Sequence, residues 1–424
     1  MSAVRVNRFL QRIITVTFIL LAISSGFWYP LNQKPTPELY ARQYQFNFLF
    51  WEIDAVWNQA LTASLNPTSQ LTVQQQREVI DEYLTLVERS RELERSISEN
   101  LANPDSELLA DDTRSLQKDL GANETALFYH KRLAESVLQH QITQAISSLG
   151  LAQLGTAFPP LLFRTTDLPK QLIVSPRETI RQEESISLQH DITIDEIIAL
   201  EDQIEKDFDL SALVVNVGGV GTYPTMVIET TSLRNLIETV SHEWIHNYLT
   251  LRPLGVRYGK NSALRTMNET TANIAGEEIT QAVFHMFYPD LLEKSPLVPD
   301  TVFASSNPAA PENTEEFSFS REMYNTRVRV DALLEEGKIE QAEKYMETRR
   351  EFFWENGYAI RKLNQAYFAF HGAYADVPFS AAGRDPVGEN VRLLRTRHPS
   401  LASFIRSISQ MRSYEELVAA ARAF

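Results

Sequence analysis

The chain has 424 residues, of which 43% are hydrophobic and 22% charged, an ordinary globular composition with apolar content for one large core or two smaller ones. Its net charge of -15 argues against a nucleic-acid partner, whose phosphates an acidic surface repels rather than neutralises. With no cysteine, disulfide frameworks and thiolate metal sites are excluded, so His, Asp and Glu are the ligands open to a metal.

Arg5, Arg8 and Arg12 precede an uncharged stretch from Ile13 to Leu31. As a helix it spans roughly 28 Å, close to the hydrocarbon thickness of a bilayer. Aromatic Phe27, Trp28 and Tyr29 at its far end favour a retained anchor, while Ala22-Ile23-Ser24 allows a cleaved signal segment. The expectation is a single-pass membrane protein with its N-terminus cytoplasmic and the remainder extracytoplasmic, or a secreted protein after cleavage.

Pro35 and Pro37 punctuate a linker, and Leu39 to Leu65 carries an aromatic stripe read as core. Thr72 to Asn100 and Asp112 to Leu149 read as long amphipathic helices, the mixed charges from Glu88 to Arg95 forming a solvated face. After Pro159-Pro160 the pattern changes. Short β-type runs at Lys170–Ser175, Ser185–Gln189, Ala212–Val217 and Thr225–Glu229 surround a helix from Ile194 to Phe208. Gly218-Gly219-Val220-Gly221-Thr222-Tyr223-Pro224 lies among them and by itself reads as a hairpin turn or bulge. It lacks the following Lys-Ser/Thr of a phosphate loop.

A helical run from about Thr231 to Leu251 contains His242-Glu243-Trp244-Ile245-His246. Histidines four apart share one helix face, so their ring nitrogens can converge on one cation beside Glu243. A catalytic zinc needs a third protein ligand, and Glu269 opens the next helical pattern after a turn through Arg252-Pro253-Leu254-Gly255. Glu277, two turns further along, is too far to share one coordination sphere.

HExxH followed after roughly twenty residues by Asn268-Glu269-Thr270-Thr271-Ala272 resembles the gluzincin metallopeptidases. The resemblance implies a zinc ion on His242, His246 and Glu269, with Glu243 as general base and a peptide or protein as substrate. Leu249 and Arg252 stand where the metzincin pattern needs Gly and His, which rules that pattern out. Where thermolysin-like members carry an Asp that orients a ligand histidine, this chain has Asn273, expected to accept in its place. By the same resemblance a mixed sheet leads into the zinc helix, and Gly218, Gly219 and Tyr223 are candidates for holding substrate backbone.

From Glu293 the chain turns irregular through Pro296, Pro299, Pro308 and Pro311, and helices resume at Phe319 to Glu336 and Ile339 to about Phe370. Asn364, Tyr367, His371 and Tyr374 recur at helical spacing, as satisfied core residues or as part of a site. This segment is loosely similar to the C-terminal part of a family of zinc aminopeptidases. The oxyanion donor that gluzincins supply from a later segment is then sought in Tyr374, His371 or Tyr367, with Tyr248 and Tyr258 as alternatives.

The expected fold is α+β and predominantly helical: an anchor or signal segment and linker (1–34), a helical module (35–158), a zincin-like catalytic domain (159–292), a loop (293–318) and a C-terminal helical domain (319–424). The rivals to a metallopeptidase are a tethered scaffold of the same fold without chemistry and a zinc hydrolase of non-peptide bonds.

Overall fold

The computed structural model describes residues 35–48, 51–52, 71–103, 109–153, 155–292, 317–376 and 378–423. A short helix α1 (Pro37–Ala41) and a 3-10 turn (Arg42–Tyr44) come first, then the long helices α2 (Val73–Ala102) and α3 (Ala110–Ser148). Thr72 starts α2 as a capping box, its side chain accepting from Gln75 N while the Gln75 side chain accepts from Thr72 N. The two long helices run antiparallel. Asn123 donates to Ser90, whereas Gln141, further along α3, donates to Gln76, which lies earlier in α2.

Strands β1 (Phe163–Thr165), β2 (Lys170–Pro176) and β3 (Glu184–Leu188) precede α4 (Ile194–Phe208), and β4 (Leu210–Val215), β5 (Gly219–Val220) and β6 (Thr225–Val227) follow it. They form two three-stranded sheets rather than one: an antiparallel sheet ordered β3-β2-β4 and a mixed sheet ordered β1-β6-β5. The period of two sorts the faces of the first sheet. Leu172 and Val174 pack with Ile197, Leu200 and Ile204 of α4, while Ile173 and Leu213 turn to the opposite side and meet Ala366 and Phe370.

Helix α5 (Leu233–Thr250) carries the HExxH residues, and after the short α6 (Pro253–Val256) the chain returns as α7 (Ser262–Phe287) and α8 (Pro289–Leu292). Ser232 caps α5 by accepting from Asn235 N. Gly276 lets α7 close onto α5, because a Cβ there would stand 3.2 Å from His242 N and 3.3 Å from Glu238 O. The C-terminal part comprises α9 (Phe319–Glu335), α10 (Ile339–Glu355), α11 (Gln365–His371), α12 (Pro386–Arg397), α13 (Leu401–Ile408) and α14 (Tyr414–Arg422). One large core draws on α2, α3, β1, α5, α7 and α12 to α14, so the site helices are packed from both ends of the chain. Helices α9 and α10 enclose a separate cluster around Val330, Met346 and Phe353.

The predominantly helical α+β class agrees with the sequence reading; several particulars do not. The helix expected from Ile339 to about Phe370 stops at Glu355, where Gly357 takes a positive φ of 87° that ends it. Among the described residues no helix is long and apolar enough to cross a membrane. That corrects the single-pass expectation; the stretch from Ile13 to Leu31 on which it rested lies outside the described residues. The same holds for residues 49–50 and 53–65 of the aromatic stripe and for residues 293–316 of the expected loop.

Candidate metal centre

On α5 the two histidines lie one turn apart and face α7. His242 Nε2 and His246 Nε2 are 2.9 Å apart. Glu269 Oε2 reaches in from α7 to 3.5 Å from the first and 3.3 Å from the second. Among the described residues this is the one group of three His, Asp or Glu side chains whose ligand atoms converge. Glu269 Oε2 is sealed from solvent with the two imidazole nitrogens as its near partners, a costly state for a carboxylate oxygen unless an imidazolium proton or a metal cation completes it. Two imidazoles and a carboxylate that converge in this way fit a divalent metal ion.

The charges are arranged to match. Burial pulls the His246 imidazolium down, but the Glu269 carboxylate outweighs it and lifts the group to about 9. Burial pushes the Glu269 carboxyl up, and the two imidazoles outweigh that and hold it well below the usual carboxylate range. The proton shared in this ion pair is the one a metal would displace.

Outer partners fix these three side chains. Asn268 Oδ1 lies 2.8 Å from His246 Nδ1, which directs Nε2 inward. Tyr258 donates to Glu269 Oε1, and Arg265 Nε donates in turn to the Tyr258 hydroxyl at 3.3 Å. Asn273, expected to be the orienting acceptor, instead donates to Asp376 Oδ1 at 2.7 Å. One turn beyond Glu269 it projects toward the C-terminal segment, whereas Asn268, directly before Glu269, projects toward His246. An Asn268→Ala variant is therefore expected to bind metal about 10- to 100-fold more weakly, measured by competition with a chelating dye. An unchanged affinity would show that this hydrogen bond does not orient the ring.

A cavity of about 350 Å³ opens over the triad, lined by Glu243, Gly219, Gly221, Tyr258 and Tyr374 among others. Burial raises the Glu243 carboxyl above its ordinary value, against the pull of His242 and His246. Strand β5 lies directly on this side chain: a Cβ at Gly219 would stand 2.7 Å from Glu243 Oε1, and one at Gly221 would stand 3.3 Å from Oε2. Only a residue without a side chain fits at position 219. The other two residues expected to hold substrate stand elsewhere. The Gly218 carbonyl accepts from Ile228 N inside the sheet, and Tyr223 is 2% exposed, with a hydroxyl that makes no hydrogen bond to a described residue. Neither lines the cavity.

The later aromatic candidates separate. Asn364 caps α11 by accepting from Tyr367 N at 2.9 Å, and Tyr374 falls beyond the end of that helix. Tyr374 nonetheless lines the cavity, its ring centroid 6.3 Å from that of His242. Burial holds the hydroxyls of Tyr258 and Tyr374 well above the usual phenol range, and the nearby Glu269 adds to it. Both are therefore protonated donors. His371 and Tyr367 pack on each other with centroids 4.3 Å apart and do not line the cavity, and Tyr248 stacks under Arg252.

His371 carries a pH dependence of its own. Burial, and then Arg265, push its imidazolium from 6.5 down to about 4. The unfolded chain takes up the proton first, so stability held above pH 6.5 is lost as pH falls toward 4. The loss is about 1 kcal/mol per pH unit for a side chain that keeps partial exposure. Urea unfolding at pH 7 and pH 5 should show a steeper decline for the parent chain than for His371→Gln; equal declines would remove His371 as the cause.

Asn268, Tyr258 and Arg265 are the site residues the sequence reading missed or set aside, and only the proximity of the first to Glu269 could have signalled it. Comparison of the chain with protein-family models, with curated proteins and with solved structures finds no match.

Proposed function

We propose that this protein is a zinc-dependent metallopeptidase with a zincin-like site, in which Glu243 is the general base. The observation that carries the reading is the convergence of His242, His246 and Glu269 below a cavity that also holds a buried, unligated carboxylate in Glu243. Three N/O protein ligands with room for a further one is the pattern of catalytic rather than structural zinc. Zinc held by these three residues supplies Lewis-acid polarisation of a carbonyl and lowers the pKa of water.

The chain's own residues supply the rest. Glu243, whose carboxyl burial raises above its ordinary value, takes the proton from the attacking water and passes it to the leaving nitrogen. Tyr374 presents a neutral hydroxyl toward the developing oxyanion, while Tyr258, whose single O–H donates to Glu269, steadies that carboxylate. Strand β5, an edge strand bare of side chains at Gly219, offers main chain to an extended substrate beside Glu243.

The test is metal content and peptide hydrolysis measured together on the full chain supplied with zinc. One zinc per chain, with cleavage of a mixed peptide library that stops on chelation and returns on adding zinc, is the expected result. Bound zinc without cleavage of any peptide would leave a binding protein or a hydrolase of other bonds, and no bound zinc would end the reading.

A further inference from the structure

Arg265 stands one turn before Glu269 on α7, lines the cavity and is 7% exposed. A cation so buried ordinarily has its charge and its donors matched. Here the match is partial. Nε donates to the Tyr258 hydroxyl and Nη1 to the Ala369 carbonyl at 2.7 Å, while Nη2 makes no hydrogen bond to a described residue. Nη2 is not sealed from solvent, and the Arg265 side chain lines the cavity. Charge compensation comes through Glu269, reached by way of Tyr258. A dication bound by Glu269 would consume that compensation and leave the guanidinium beside the substrate space without a counter-charge.

The carboxylates around the cavity are those of Glu243 and Glu269 alone among the described residues, and Arg265 is the single Arg or Lys. A substrate's free ammonium would meet zinc and Arg265 with no carboxylate to spare. Apolar Val217, Val220 and Phe370 form part of the wall, so an apolar side chain could be housed beside the charged end.

We infer that the cavity recognises a substrate through a carboxylate paired with Arg265, and so takes the anionic end of a peptide rather than its amino end. This rests on the metallopeptidase reading for what is then cleaved, but the recognition is separable from the cleavage. A charge-assisted hydrogen bond from a buried guanidinium distinguishes a carboxylate from the corresponding amide by about ten- to a hundredfold.

Calorimetric titration of the full chain, supplied with zinc and assayed for metal content, would use four probes. N-acetylphenylalanine carries the terminal carboxylate and N-acetylphenylalaninamide is neutral. Phenylalaninamide is cationic, and N-acetylaspartic acid α-amide has its carboxylate on the side chain. The expected order places N-acetylphenylalanine at least tenfold tighter than the neutral amide, with the cation weakest. The aspartyl probe decides whether a side-chain carboxylate serves as well as a terminal one. Arg265→Gln should abolish the preference and Arg265→Lys should keep part of it. Equal binding of carboxylate and amide by the parent chain, no binding of any probe, or tighter binding of the cation would overturn the inference whether or not the variants fold. A preference that survives in folded Arg265→Gln would assign the carboxylate to the metal and overturn it as well. If the chain holds no zinc and cleaves nothing, yet the preference depends on Arg265, the anion site stands and the metallopeptidase reading falls. Cleavage of peptides without the preference gives the reverse.

Discussion

Replacing Glu243 with Gln is expected to reduce peptide hydrolysis by about 10²- to 10⁴-fold while leaving bound metal in place. The substitution is close to isosteric, which matters here because Gly219 and Gly221 lie against the Glu243 side chain with no space for a larger group. The amide keeps the contact with β5 and loses the ability to accept a proton. Metal binding should survive because Glu243 is not one of the three converging side chains. Burial raises the Glu243 carboxyl, so the parent activity should also decline on acidification as that carboxylate takes up a proton. The measurement is kcat at saturating substrate alongside metal content. Activity within tenfold of the parent, with one metal still bound, would show that another group takes the proton.

The convergence of His242, His246 and Glu269 was legible because its spacing is local chemistry. Two histidines four apart on a helix converge whatever surrounds them, and Glu269 stood in the next helical pattern. What lay outside the reach of the sequence is what depends on how α5 crosses α7. The position one turn beyond Glu269 suggested Asn273 as the orienting acceptor, but the crossing turns Asn268 to His246 and sends Asn273 to Asp376. Tyr258 was ranked below the later aromatics for the same reason: its proximity to Glu269 arises from the turn through α6, which no periodicity records. The helix face drawn through Asn364, Tyr367, His371 and Tyr374 failed differently. That segment is helical only from Gln365 to His371, so Tyr374 reaches the cavity from outside the helix while its supposed neighbours on the face remain in packing contacts. Secondary structure was legible where capping residues or alternation fixed it, as with Thr193 and the helix Ile194–Phe208. The division of six strands between two sheets was not, since both sheets are built from similar short apolar runs.

His246→Ala is expected to lose metal binding altogether under conditions where the parent holds one ion per chain. The loss should exceed the 10- to 100-fold expected of Asn268→Ala, because an outer partner only orients a ligand whereas His246 is one. The geometry gives no replacement. Among the described residues no fourth His, Asp or Glu joins the converging set, and Glu277, two turns along α7, is engaged with Arg234 at 2.6 Å. Removing the imidazole also takes away the strongest influence that holds Glu269 ionised against burial. The carboxyl left behind should take up a proton more readily, weakening what remains of the site. A metal that binds only the folded chain stabilises it by mass action, so the parent should melt at a higher temperature with zinc than without, and the variant should show no such rise. Retention of one zinc by His246→Ala, with the same zinc-dependent rise in melting temperature, would place the ion elsewhere and detach the HExxH helix from metal binding.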